Sequence, residues 1–477
     1  MNQEETSKIT TEPESISDSS PNGENMLPAP AQIVEDISAD PIEVVESAFP
    51  PKENTENSEP ERPKTTAVDS SAEFSKPEVY QLLNAMVEKP YQDFVDLREL
   101  NIEIVRLSPN FAEQFEKLGL SVKTEGNILR IEGVPSADTQ GEHLLRLDYA
   151  VDGAEQNQFR ELSLLINPDP KSLWKSLEPD ESLPYRKDHL ATETVVSDNF
   201  KIVGASRRGR SHAHEGKFRE DDFAIRSLAN DWHIVIVADG AGSAKLSRQG
   251  SSLAAQTAVE FVENSIAELL EPKFDKLIKQ YTEEKTETGE NEIKHLLYRV
   301  LCGAAFAAYK RLEKESNDTE NALKDYSTTF LLSIIKKCAQ GFFVASFGIG
   351  DGAIGVYSES ARTVNLMNSP DGGEFSGQTR FLTMREVVGN GAEMLQRIKF
   401  KLFDNFTVLA LMTDGISDPK FGTDNNLASY EKWKEFVDEL KGIDFSRTSE
   451  KTAQELLEYM NFWSPGEHDD RTLVILY

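Results

Sequence analysis

Trp232-His-Ile-Val-Ile-Val-Ala238 runs directly into Asp239-Gly240-Ala241-Gly242. A short apolar, β-branched run closed by turn formers predicts a buried strand. The turn at its end has two readings. As a dinucleotide-binding turn it is incomplete, because Lys245 stands where the third glycine belongs, and Asp239 inside the turn repels a pyrophosphate unless a cation intervenes. As a carboxylate at a strand mouth it has company. Phe406–Met412 leads into Thr413-Asp414-Gly415, and Phe343–Phe347 into Gly348-Ile-Gly-Asp351-Gly352. His468-Asp469-Asp470 stands before Thr472–Leu476, and Glu220-Asp221-Asp222 before Phe223–Ile225. A single Asp-Gly is an ordinary turn. Carboxylates at the mouths of five buried strands repel one another unless cations neutralise them, and an oxygen-rich site without Cys or His suits Mg²⁺ or Mn²⁺.

Working outward, apolar runs at Phe330–Ile335, Phe342–Phe347, Ala353–Tyr357, Thr407–Met412 and Thr472–Tyr477 predict further strands. Two helical patterns lie between them. One passes through Leu253, Thr257, Phe261, Val262, Ile266 and Leu269, the other through Ile293, Leu296, Leu297, Val300, Leu301, Ala304, Ala308 and Leu312. Upstream, residues 169–195 read as a linker punctuated by Pro170, Pro179 and Pro184, with Trp174 expected to pack on a neighbouring domain. Residues 98–168 read as a small all-β module, from Leu120-Ser-Val122, Ile128–Ile131, Leu144–Tyr149 and Leu162–Ile166. Its stretch from Asn127 to Val151 resembles short immunoglobulin-like sandwich domains; an unclassified β spacer fits it as well. Pro77–Leu97 reads as a short helix.

The first 70 residues hold 16 Asp and Glu against four Lys and Arg, and nine of the 21 prolines. Such a segment buries too little apolar area to offset chain entropy, so 1–75 is expected to be a disordered acidic tail. A formal net charge of −31 makes nucleic acid and anionic membrane poor partners. Two cysteines are too few for a disulfide framework. The start MNQEETSKITTEPES lacks the apolar core of a signal peptide, and no apolar run approaches the roughly 20 residues of a membrane span. A cytoplasmic protein is expected.

The ordered set Glu220-Asp221, Asp239-Gly240-x-Gly242, Ser327-Thr-Thr329, Gly350-Asp351-Gly352, Thr413-Asp414-Gly415 and Asp469-Asp470-x-Thr472 resembles the metal-dependent protein serine/threonine phosphatases of type 2C. Gly209-Arg-Ser-His212, Ala238–Ala244 and Gly373-Glu-Phe through Gln378-Thr-Arg-Phe-Leu382 are similar to a divergent bacterial branch of that family. The resemblance implies an α+β fold over residues 196–477: a β-sandwich flanked by helices (α-β-β-α) with a two-metal site at one edge.

Carried over residue by residue, Asp239 bridges two Mn²⁺ or Mg²⁺ ions and the Gly240 carbonyl binds one of them. Asp414 and Asp469 supply the other direct carboxylates. Asp221, with Glu220, holds metal-bound waters, and Asp351 matches a position that in some relatives helps bind a third ion. A hydroxide between the metals would then hydrolyse phosphoserine and phosphothreonine in proteins. Where many eukaryotic members carry a general-acid His, this chain has Ala241; His212 or His214 could take that role, or be ordinary structural residues. The phosphate-binding Arg is one of Arg207, Arg208, Arg210 and Arg219, with Arg208 the choice carried forward and the rest read as solvated charge. Ser327-Thr-Thr329 reads as a buttress rather than a nucleophile, Lys245 and Arg248 as surface residues, and Gly372–Gln378 as part of a variable flap.

Two other functions compete. A pseudophosphatase would bind a kinase or phosphoprotein without hydrolysis, but a decayed enzyme would usually have lost a ligand and here every direct-ligand position is Asp. Alternatively the β module and tail are the recognition unit. A cognate Ser/Thr kinase is the expected partner beside the phosphoprotein substrate.

Overall fold

A computed structural model describes residues 79–100, 102, 106–107, 109–150, 158–284, 287–371 and 379–477. The expected acidic tail 1–75 and the flap residues 372–378 lie outside them. The described chain forms two compact units, one of residues up to Asp180 together with Arg210–Lys217, the other of Glu181–Gly209 and Phe218–Tyr477.

The first unit starts earlier than the spacing of apolar runs suggests. In place of a helix over Pro77–Leu97 it has strands Tyr80–Gln81, Ala85–Met86 and Tyr91–Asp96. Glu88 takes a left-handed φ of 57°, and Pro90 pushes Lys89 out of the helical region, so no helix can cross this point. Tyr91–Asp96 pairs with Ile128–Gly133, which also pairs with Leu120–Glu125. Gly141–Ala150 and Gln158–Asn167 form the hairpin of a second sheet. One helix, Pro109–Glu116, packs Phe111 and Phe115 into the same core as Val95, Leu129, Leu147 and Leu164.

In the second unit we number the strands β1 (Leu190–Val196), β2 (Lys201–Arg207), β3 (Asp222–Ser227), β4 (Trp232–Ala238), β5 (Phe330–Cys338), β6 (Gly341–Ile349), β7 (Ala353–Ser358), β8 (Thr363–Leu366), β9 (Lys399–Phe403), β10 (Val408–Met412) and β11 (Arg471–Leu476). They make two sheets, ordered β8-β7-β10-β11-β2-β1 and β3-β4-β5-β6-β9. The linker expected through residue 195 therefore ends earlier, because Leu190–Val196 is an edge strand paired with β2.

Alternation along the strands builds the layers. Val235, Val237 and Leu331 pack against Leu409, Leu411, Val474 and Leu476 between the sheets. Ile234 and Ile236 face the other way, into Leu253, Ala254, Ala258, Leu301 and Ala304 of the two long helical segments predicted from periodicity. On the opposite side Leu473 and Ile475 pack beneath Trp433, Phe436 and Leu456. The layers thus run helix, sheet, sheet, helix. Strands buried on both faces are near-continuous apolar runs, which is why β4 is legible to the residue.

At the start of β4, His233 is fully buried, 2.8 Å from the Ser227 hydroxyl through Nδ1 and edge-on to Phe200. Burial pushes its pKa down to about 4. The neutral ring is therefore favoured in the fold. Its stabilisation is complete above the ordinary value near 6.5 and is lost as pH falls from there through 4. Urea unfolding should show about 3 kcal/mol less stability at pH 4 than at pH 7 from this residue. His233→Asn should flatten that part of the profile; an unchanged slope would refute the assignment.

Candidate metal and phosphoester site

The antiparallel registers bring the strand mouths to one edge. Asp222 pairs with Ala238, Met412 with Leu473, and Arg207 with Arg471. Asp221 therefore sits just before β3, Asp239 just after β4, Asp351 beyond β6, Asp414 after β10, and Asp469 and Asp470 before β11.

Asp239, Asp351 and Asp414 each offer a carboxylate oxygen, all within 4.8 Å of one another. At an effective dielectric near 20, each such pair of charges costs roughly 3 kcal/mol, so three ionised carboxylates do not coexist there without compensation. Burial, then Asp414, Asp221 and Asp469, push the Asp239 carboxyl well above the usual range. Burial does the same at Asp414, aided by Asp351, Asp469 and Asp221. Asp221 is pushed up to about 7, chiefly by burial and then by Asp470. Its Oδ2 accepts from the hydroxyls of Thr472 (2.7 Å) and Thr413 (3.0 Å). Its buried Oδ1 accepts from no donor among the described residues, nor does Asp414 Oδ1. Desolvated, mutually repelling, partly unsatisfied oxygens fit hard divalent cations.

The backbone is fixed around these groups. The Asp239 N–H donates to Thr329 Oγ1 (2.9 Å), and its carbonyl accepts from the Thr328 hydroxyl (2.7 Å) and the Thr329 N–H (2.8 Å). Ser327-Thr-Thr329 is thus a buttress, as the sequence suggests. Gly240 allows the Glu220 carbonyl to approach, since a Cβ there would lie 2.6 Å from it.

Asp469 and Asp470 divide their work. Asp469 is exposed and contributes charge to Asp239 and Asp414. Asp470 is buried; its Oδ1 accepts the Gly209 N–H (2.6 Å) and its Oδ2 the N–H groups of Glu220 and Asp221. Sequence reasoning assigns this organising role to no residue, although the doubled Asp is the available signal.

Several cations are placed differently from expectation. Arg219 is buried, not solvated; it donates to Ser206 Oγ, the Asp221 carbonyl (both 2.6 Å) and the Asp188 carbonyl. Arg248 is also buried, with its guanidinium on the carbonyls of Pro184 (2.8 Å) and Tyr185 (2.9 Å), which engages it away from any phosphate. Lys245 is exposed, and Arg207 is half-buried with Nη1 3.4 Å from the Leu457 carbonyl. Arg208 is buried immediately after β2. Arg210 and His212 lie in helix Arg210–Glu215, His212 buried. His214, on the same helix, accepts the Lys175 N–H (3.1 Å) and packs edge-on against Trp174 of the same unit. Lys187, inside the expected linker, has its Nζ 2.8 Å from the Asp221 carbonyl and 3.1 Å from Asp222 Oδ2.

The family model for protein phosphatase 2C matches residues 208–461. The chain belongs to the protein phosphatase 2C family. No curated protein matches its sequence. Among solved structures it is similar to RsbX in complex with magnesium, at 14% identity over 60% of this chain and 98% of that one, with a TM-score of 0.29. A serine-threonine phosphatase 2C from Toxoplasma gondii shares 14% identity over 60% and 98%, at 0.37. The catalytic domain of the phosphatase PstP in complex with two manganese ions shares 14% over 58% and 97%, at 0.34. Among the described residues no helix is long and apolar enough to cross a membrane.

Proposed function

We propose that the chain is a Mn²⁺- or Mg²⁺-dependent phosphatase acting on phosphoserine and phosphothreonine in proteins. The observation that carries this reading is the cluster of Asp239, Asp351 and Asp414 oxygens within 4.8 Å, desolvated beside the unsatisfied Oδ1 of Asp221. Asp239, the Gly240 carbonyl, Asp414 and Asp469 would hold two ions, and Asp351 a third. Divalent cations there supply positive charge for phosphoryl oxygens and make water more acidic.

The chain's own groups orient the reactants. Arg208 is assigned to the phosphate dianion, for which a guanidinium offers paired donors. Asp221, anchored through Oδ2, presents Oδ1 as an acceptor for water in the site. The partner tested first is a Ser/Thr kinase that makes such phosphoproteins, and the compartment proposed is the cytoplasm.

Hydrolysis of p-nitrophenyl phosphate by the full chain, with Mn²⁺, Mg²⁺ or EDTA, checks the reading. Turnover with metal and none with EDTA is expected. Absence of turnover with either metal in a folded chain would favour the phosphoprotein-binding pseudoenzyme.

A further inference from the structure

Upstream of the family match at residue 208, the chain from Pro184 to Asp188 is held within the second unit by Arg248, Arg219 and its own Lys187. Arg248 takes the carbonyls of Pro184 and Tyr185, Arg219 takes that of Asp188, and the Tyr185 hydroxyl donates to Glu315 (3.1 Å). Lys187 points inward, its side chain 11% exposed and paired with Asp222. Its ammonium donates to the carbonyls of Asp221 (2.8 Å) and Glu220 (3.4 Å) and to Ser251 Oγ (3.1 Å). Ser251 Oγ in turn donates to the Glu220 carbonyl, and Arg219 to that of Asp221.

The Glu220-Asp221 backbone is therefore gripped from two sides. Its N–H groups face the Asp470 carboxylate, and its carbonyls face Lys187 and Arg219. From this doubly held backbone the Asp221 side chain reaches the threonine hydroxyls, with Oδ2 accepting from Thr413 and Thr472.

We propose that Lys187 is a positioning residue of the metal site, fixing the Glu220-Asp221 backbone so that Asp221 faces the bound ions. The proposal rests on the phosphatase reading for its functional consequence, but not for the backbone order it describes. It places a segment outside the family match inside the working catalytic domain.

Full-length wild type, Lys187→Met and Arg248→Met test it. Arg248 holds the same segment without touching the Glu220 or Asp221 carbonyls, so it controls for general loosening. In metal-free protein, amide hydrogen exchange at Glu220 and Asp221 should speed up at least about tenfold in Lys187→Met and stay near wild type in Arg248→Met. The Mn²⁺ concentration for half-maximal phosphopeptide hydrolysis should rise about 10- to 100-fold in Lys187→Met, with kcat lowered and peptide KM within about twofold. Arg248→Met should lower the melting temperature with Mn²⁺ dependence unchanged. If Lys187→Met does not fold, Lys187→Gln, keeping an N–H donor group without the charge, should show the same shifts at smaller size. Unchanged exchange at Glu220 and Asp221, or a Mn²⁺ dependence no different from Arg248→Met, overturns the proposal. A wild type that hydrolyses nothing overturns the phosphatase reading and with it the catalytic half of this role, while the exchange comparison still decides the backbone half.

Discussion

Asp239→Asn is expected to cut phosphothreonine-peptide turnover by at least about 10³-fold, the scale of several kcal/mol of lost metal-supplied charge stabilisation. The same change should raise the melting temperature of the metal-free chain. Both effects come from one fact, that burial and the neighbouring Asp414, Asp221 and Asp469 disfavour the ionised Asp239. For a carboxyl raised in the fold, the penalty is absent below its unfolded pKa near 4 and grows as pH climbs toward the folded value. Metal-free wild type should therefore lose stability between pH 4 and 7, and the neutral Asn should lose less. Kinetics with saturating Mn²⁺, paired with thermal melts in EDTA at several pH values, would show both. Full activity, or a metal-free mutant less stable than wild type at pH 7, would contradict the site.

Gly415→Ala should be nearly as damaging without removing any ligand. A Cβ at Gly415 would lie 1.8 Å from the Asp470 carbonyl oxygen and 2.9 Å from its carbon, both backbone atoms that cannot swing away. Either helix Asp414–Phe421 or the loop before β11 must move, displacing Asp414 or breaking the bonds from Asp470 to the Gly209 and Glu220 N–H groups. Overpacking of this kind costs about 1–3 kcal/mol or more, and a misplacement near 1 Å at the site about 10²-fold in rate. Urea unfolding and kcat measured on one preparation would report both losses. Wild-type kcat would mean that the contact between these two loops does not set the geometry of the site.

Much of this architecture is readable from residues alone, for particular reasons. Strands β4, β5, β6, β10 and β11 are covered on both faces, so their sequences are unbroken apolar runs. Edge strand β1 is mostly exposed, and its Leu-Ala-Thr-Glu-Thr-Val-Val sits behind a run of prolines, which hides it in the linker. Asp239, Asp351 and Asp414 are legible because each interrupts an apolar run at its end. The division between Asp469 and Asp470 is not, since adjacent side chains at a strand's start take opposite sides and the motif does not say which is buried. Lys187, Arg219 and Arg248 escape sequence reasoning for a different reason. Their partners are mainly backbone carbonyls, in several cases more than 30 residues away, and carbonyls leave no mark in a sequence.

Calorimetric titration of Mn²⁺ into the metal-free full chain at pH 7.5, beside Asp239→Asn, tests most directly whether the acidic edge is a divalent-metal centre. Saturable binding of at least two ions per chain, weakened at least about tenfold in the mutant, is the predicted result. No saturable binding in the wild type, or the same isotherm in both proteins, would contradict it.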